Sequence, residues 1–101
     1  NSDDISTVII IQPMVGTGTK VLSSDESTFA PTNAGERDSI SILDEMSLYL
    51  PILDEHCTKT ADFRNIFDNI SRPIFYDDVH VVDAGNEIIA KKMFSLITPL
   101  I

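Results

Sequence analysis

The segment Thr7-Val8-Ile9-Ile10-Ile11-Gln12, closed by Pro13, is a run of β-branched residues with no polar alternation. Such side chains pack well on a pleated surface, and an unbroken apolar run marks a strand buried on both faces, as in the middle of a parallel sheet. Pro13 has no amide to give to a ladder and ends the strand. A strand of this kind needs a neighbour on each side, and the chain offers one other candidate, a short strand between Cys57 and Phe63. The expected class is therefore α/β, with part of the sheet outside these residues and an unpaired apolar edge left open.

The remaining segments supply the other layer. Met14 to Asn33 is rich in Gly, Ser, Thr and Pro and reads as a long loop, with one helical turn opened by the capping-box spacing of Ser23 and Glu26. From Gly35 to His56 the apolar residues Ile42, Leu43, Met46, Tyr49, Leu50 and Leu53 recur at three- and four-residue spacing, which predicts a helix. Pro51 is expected to kink or break it. Phe63, Ile66, Phe67 and Ile70 predict a turn or a loose helical piece. Asp83 is the expected N-cap of a last helix over Ala84–Ile97, with Ile89, Met93, Leu96 and Ile97 as its stripe and Pro99 as its stop. Strand, long loop, helix, short strand, loop, helix is the order of the carboxyl half of a layered α/β sheet. The 101 residues are expected to form a single partial domain.

Composition narrows the function. The chain carries a formal charge of −9, which would repel nucleic acid and anionic membranes. Its acids are scattered, as on a solvated surface, and 43% of its residues are apolar, which argues against wholesale disorder. Cys57 is the only cysteine, so there is no intrachain disulfide. No apolar run reaches membrane-spanning length, and no signal peptide is visible.

Chemistry concentrates in Phe75-Tyr76-Asp77-Asp78-Val79-His80, followed by Val81-Val82-Asp83-Ala84-Gly85-Asn86-Glu87. Asp77 lies three residues before His80, an offset at which a carboxylate can fold back and hold one imidazole nitrogen while the other accepts a proton. Asp78 is two residues away and points elsewhere on an extended backbone. The bland alternative makes both acids turn formers and His80 a structural histidine. A divalent metal held by Asp77, Asp78, His80 and Asp83 is a further alternative. Gly16-Thr17-Gly18-Thr19-Lys20 lacks the glycine spacing and the following Ser or Thr of a phosphate loop, and reads as a turn. His56 and Cys57 are neighbours in sequence, whereas a catalytic pair needs spatial opposition.

With these residues in view, the chain resembles the carboxyl-terminal part of the SGNH (GDSL-type) hydrolases. The resemblance rests on Asp77-Asp78-Val79-His80, then Asp83-Ala84-Gly85-Asn86 and the helix from Glu87-Ile88-Ile89-Ala90. It implies a flavodoxin-like three-layer α/β/α sandwich with parallel strands, of which this chain would hold the carboxyl-terminal portion. It also implies hydrolysis of a small-molecule or glycan ester without a cofactor, with His80 as general base and Asp77 as its partner. The family's Gly-Asp-Ser nucleophile motif is absent, since Ser39 follows Asp38 but Arg37 precedes them, and its oxyanion-hole Gly and Gly-x-Asn-Asp block are absent too. The resemblance therefore implies a partner, the missing amino-terminal part of the same domain. A non-catalytic α/β binding or interaction module is the other expectation.

Overall fold

A computed structural model describes residues 5–101, so the reading of one domain over 1–101 extends past the described residues at its start. The elements run β1 (Val8–Ile11), α1 (Ser24–Ser27), α2 (Ala34–His56), β2 (Lys59–Asp62) and α3 (Asp83–Ile97), then a 3-10 turn over Thr98–Leu100. β1 and β2 pair in parallel, in register from Val8 opposite Lys59 to Ile11 opposite Asp62. Parallel neighbours need a crossover, and α2 provides it, packing against both strands. The architecture is mixed α/β with a two-stranded parallel sheet among the described residues.

Local chemistry accounts for where α2 begins. The Asn33 carboxamide oxygen accepts from the Glu36 amide at 2.9 Å, and the Glu36 carboxylate reaches back to the Asn33 side-chain NH2 and the Thr32 amide, each at 3.0 Å. These contacts satisfy amides that a helix start leaves unpaired. The helix then runs 23 residues, continuously through Pro51, so of the expected kink or break the break does not occur. One proline withholds one amide, and Pro51 is exposed, where water can take up the lost bond.

No residue of α2 is fully buried. Leu43, Leu50 and Leu53 are half-buried, whereas Ile42, Met46, Tyr49 and Ile52 form an outer apolar stripe, each 45–56% exposed. β1 departs from expectation in the same way, because only Ile11 is fully buried. One neighbouring strand and one helix cannot cover both faces of an apolar strand. The molecule is flat, 46 × 29 × 17 Å, and its radius of gyration of 14.9 Å exceeds the value of about 13 Å usual for a globule of this length.

The tightest packing lies beside the sheet. Val15, Phe67, Ile74, Phe75 and Val81 form one buried cluster, with the rings of Phe67 and Phe75 edge to face at 5.6 Å and 89°. Phe67 is delivered by three successive turns, in which the amides of Ile66, Asp68 and Ile70 bond the carbonyls of Phe63, Asn65 and Phe67. Ala84, Ile88 and Ile89 of α3 close the cluster, while Met93 lies at the surface. Asp83 is the first helical residue of α3, and the cap position belongs to Val82, which has no capping side chain. The Val82 amide donates to the Ile74 carbonyl at 2.8 Å, so the preceding loop, not a cap, holds the helix start; Asp83 still complements the helix dipole.

This distribution sets up a contrast. Phe67→Ala should lower the free energy of unfolding by about 3–5 kcal/mol. Met46→Ser and Tyr49→Ser, on the exposed stripe, should each change it by less than about 0.5 kcal/mol. Urea titrations at neutral pH measure both, and similar losses at the two places would show that the stripe is packed in solution.

Candidate active site

Residues 74–82 form a tight antiparallel loop between the core and α3. Phe75 and Val81 bridge, the Tyr76 amide donates to the His80 carbonyl at 3.1 Å, and the Val82 amide donates to the Ile74 carbonyl. Gly85 lets α3 sit close behind it, since a Cβ there would lie 2.7 Å from Val81 Cβ and 2.8 Å from Ile74 Cγ2. The segment following β1 closes the other side through a 2.9 Å hydrogen bond from the Val15 amide to the Asp78 carbonyl. The loop therefore stands at the carboxyl end of β1, where ligand sites of α/β sheets collect.

At its tip Asp77 does two things at once. Its Oδ1 accepts the amides of Val79 at 2.9 Å and His80 at 2.6 Å, which shapes the turn. Its Oδ2 lies 2.7 Å from His80 Nδ1. The His80 amide is the largest influence on the Asp77 carboxyl and, with the Val79 amide and the imidazole, holds it below its usual range against desolvation, the second largest, which acts the other way. An ionised Asp77 favours the proton on Nδ1, which leaves Nε2 as the basic nitrogen. The His80 side chain is 63% exposed and its ring stacks on Tyr76, with centroids 5.8 Å apart and planes at 19°. Asp78 does not share this role and contributes its backbone carbonyl.

Three shallow cavities border this loop. One, of about 220 Å³, is lined by Gln12, Tyr76, His80 and Asn86; a second, of about 290 Å³, by Gln12, Met14, Ile42, Leu43 and Ser39; a third, also of about 290 Å³, by Thr28, Glu36, Asp77 and Asp78. Ser39 is on the first part of α2 and donates to the Gly35 carbonyl at 3.2 Å. No hydrogen bond joins Ser39 to His80. Among the described residues, no group of three or more His, Cys, Asp or Glu is placed to hold a metal ion. Cys57 caps the carboxyl end of α2 through its amide and is a free thiol. The glycine segment after β1 is a packed turn, with Gly16 and Gly18 at positive φ. There the Thr19 amide donates to Asp68 Oδ1 at 2.7 Å, so an amide that could meet an anion is already bonded to a carboxylate. No helix among the described residues is long and apolar enough to cross a membrane.

The support under the site is a buried carboxylate that sequence patterning showed only as a cap. Glu26 completes the capping box with Ser23 and is fully buried. One oxygen accepts from Lys20 Nζ at 2.8 Å and the Ser23 amide at 2.9 Å. The other accepts the amides of Ile74 at 2.9 Å and Phe75 at 3.0 Å, where the histidine loop begins. Lys20 also donates to the carbonyls of Val21 and Arg72. Burial is the strongest single influence on Glu26 and acts to raise its pKa, but the bonds from Lys20, Ser23, Phe75 and Ile74 together outweigh it and lower the pKa from 4.5 to about 2. The capping-box spacing was legible in sequence; the amides of Ile74 and Phe75, 48 and 49 residues away, were not.

Because the folded-state pKa of Glu26 lies below its unfolded value, its contribution to stability is complete above about pH 4.5 and is lost as pH falls toward 2. Glu26→Gln should cost about 3–5 kcal/mol at pH 7 by leaving the Lys20 charge buried and unpaired. It should also flatten the dependence of stability on pH between 4.5 and 2. Urea unfolding at pH 7 and pH 3 reads both, and a variant as stable as wild type at pH 7 would show the pair to be dispensable. Comparison with protein-family models, with curated proteins and with solved structures found no match to the chain.

Proposed function

We propose that this chain is the carboxyl-terminal portion of an SGNH-type serine ester hydrolase domain, a flavodoxin-like three-layer α/β/α sandwich, and that it supplies the Asp–His part of a catalytic triad. One observation carries the reading: Asp77 Oδ2 lies 2.7 Å from His80 Nδ1 on an imidazole that is largely open to solvent. A merely turn-forming aspartate needs only Oδ1, which already takes two amides. A histidine kept for packing would be buried. The pairing of a second oxygen with an accessible ring is the arrangement a general base requires.

The chemistry follows from the pair. A serine outside this chain gives its proton to His80 Nε2 as its Oγ attacks the acyl carbonyl of the ester. Asp77 keeps the Nδ1 proton in place and stabilises the imidazolium. That imidazolium returns its proton to the leaving alcohol, and a water repeats the two steps to release the acid and free the serine. The substrate is a small-molecule or glycan ester, and neither metal nor cofactor is required. The open edges of the two-stranded sheet and the exposed stripe of α2 support the idea that further strands and helices complete the domain. They would bring the nucleophile and the oxyanion donors.

A non-catalytic α/β interaction module is the second reading. The backbone bonds of Asp77 favour it, because they give that residue a structural task whether or not chemistry occurs. The polypeptide extended upstream of Asn1, assayed on a short-chain aryl ester, separates the two. His80→Ala should lower kcat by about 10²–10⁴. Asp77→Asn should lower it within the same range while KM stays near wild type. Ester cleavage that survives His80→Ala at a near wild-type rate would remove the triad assignment and leave the interaction module.

A further inference from the structure

Resting on the reading of His80 as general base, we propose that Tyr76 is a positioning residue that holds the His80 imidazole in its base-competent orientation. The need for such a group follows from exposure. With 63% of its side chain in solvent, His80 has no packed wall to fix its ring. The Asp77 side chain, itself 41% exposed, is one restraint, and a solvent-exposed ion pair competes with water and is weak alone. The Tyr76 ring is the second restraint. Its plane lies within 19° of the imidazole, at a centroid distance of 5.8 Å typical of an offset stack.

The hairpin accounts for the alignment. The Tyr76 amide donates to the His80 carbonyl, so the two residues face each other across one rung, and the bridge between Phe75 and Val81 on the next residues anchors that rung in the core. Cross-strand neighbours place their side chains on the same side, where rings can meet. Tyr76 is 57% exposed and its side chain contributes nothing to the buried cluster, so packing does not explain its place. The stack blocks rotation that would carry Nδ1 away from Asp77. When the ring takes a proton, the same aromatic face lies against a cation, which is an attractive arrangement.

The chain itself provides the test. Long-range 1H–15N NMR of the histidine rings distinguishes the two neutral tautomers. In wild type and in Tyr76→Phe, the Nδ1–H form should dominate at His80, because the stack survives loss of the hydroxyl. In Tyr76→Leu, a quarter or more of the neutral rings should convert to the Nε2–H form, while the amide spectrum outside residues 74–82 and the urea midpoint stay at wild-type values. In the polypeptide extended upstream of Asn1, Tyr76→Leu should lower kcat about two- to fivefold with KM unchanged, and Tyr76→Phe should restore it. An unchanged tautomer ratio in Tyr76→Leu, or a failure of phenylalanine to restore it, overturns the positioning role and leaves the hydrolase reading intact. Ester cleavage that persists at a near wild-type rate in His80→Ala overturns the assignment of His80 as general base, and the positioning role in catalysis with it.

Discussion

A single carboxylate inside the protein organises everything that matters for the site. Glu26 gathers Lys20, the start of α1 and the first two amides of the histidine loop around two oxygens. A buried ion pair is a poor source of net stability, because desolvating both charges offsets their attraction. Its value is geometric. The amides of Ile74 and Phe75 have no other described acceptor, and the side chains of these two residues form much of the buried cluster. The long segment between β1 and α2 is thereby locked onto the loop that presents Asp77 and His80, although it contains only one turn of helix.

The loop illustrates how one residue can satisfy both a structural and a chemical requirement. Asp77 Oδ1 closes the turn and Oδ2 meets the imidazole. Fixing the turn fixes the carboxylate, and the fixed carboxylate then selects a tautomer. The turn holds only the carboxylate; the imidazole stays exposed, where a contact of this type competes with water, and the Tyr76 ring stacked on it is the other restraint. A second tie holds the same carboxyl end of the sheet, where Asp62 lies opposite Ile11. Arg64 bonds Asp62 through Nε and Nη2 and also reaches Asp44 of α2, and this hydrogen bonding keeps the Asp62 carboxyl below its usual range.

The two-layer part of the molecule contrasts with the site. Among the described residues β1 has one partner strand, α2 buries no residue completely, and five large apolar side chains of α2, Leu48 besides the four of the stripe, face outward. An apolar strand and an amphipathic helix with a second apolar stripe ordinarily have more cover than a two-stranded sheet and one helix give each other. The best-packed region is instead made of loops and the start of α3, and it is independent of whatever covers the sheet. The proposed division of labour follows from this, with the His80 loop self-supporting here and the remaining catalytic groups arriving with the rest of the sheet.

The sequence by itself determined the elements. The β-branched run at Val8–Ile11, the helical spacing from Ile42 to Leu53, the capping-box spacing of Ser23 and Glu26, and the short strand after Cys57 all follow from local periodicity, which acts over a few residues. The three-residue offset from Asp77 to His80 was legible for the same reason. Tertiary structure decided what local rules could not. Pro51 stays inside α2 because a lost hydrogen bond is tolerable on an exposed helix face. Val82 displaces Asp83 from the cap because a loop rung to Ile74 already holds that backbone. Glu26 became the buried centre because its partners come from residues nearly fifty positions away, and Tyr76 met His80 only because a hairpin placed them across one rung. Contacts distant in sequence leave no periodic trace in it, so the chain could announce its acids, its histidine and its helices but not which of them would meet.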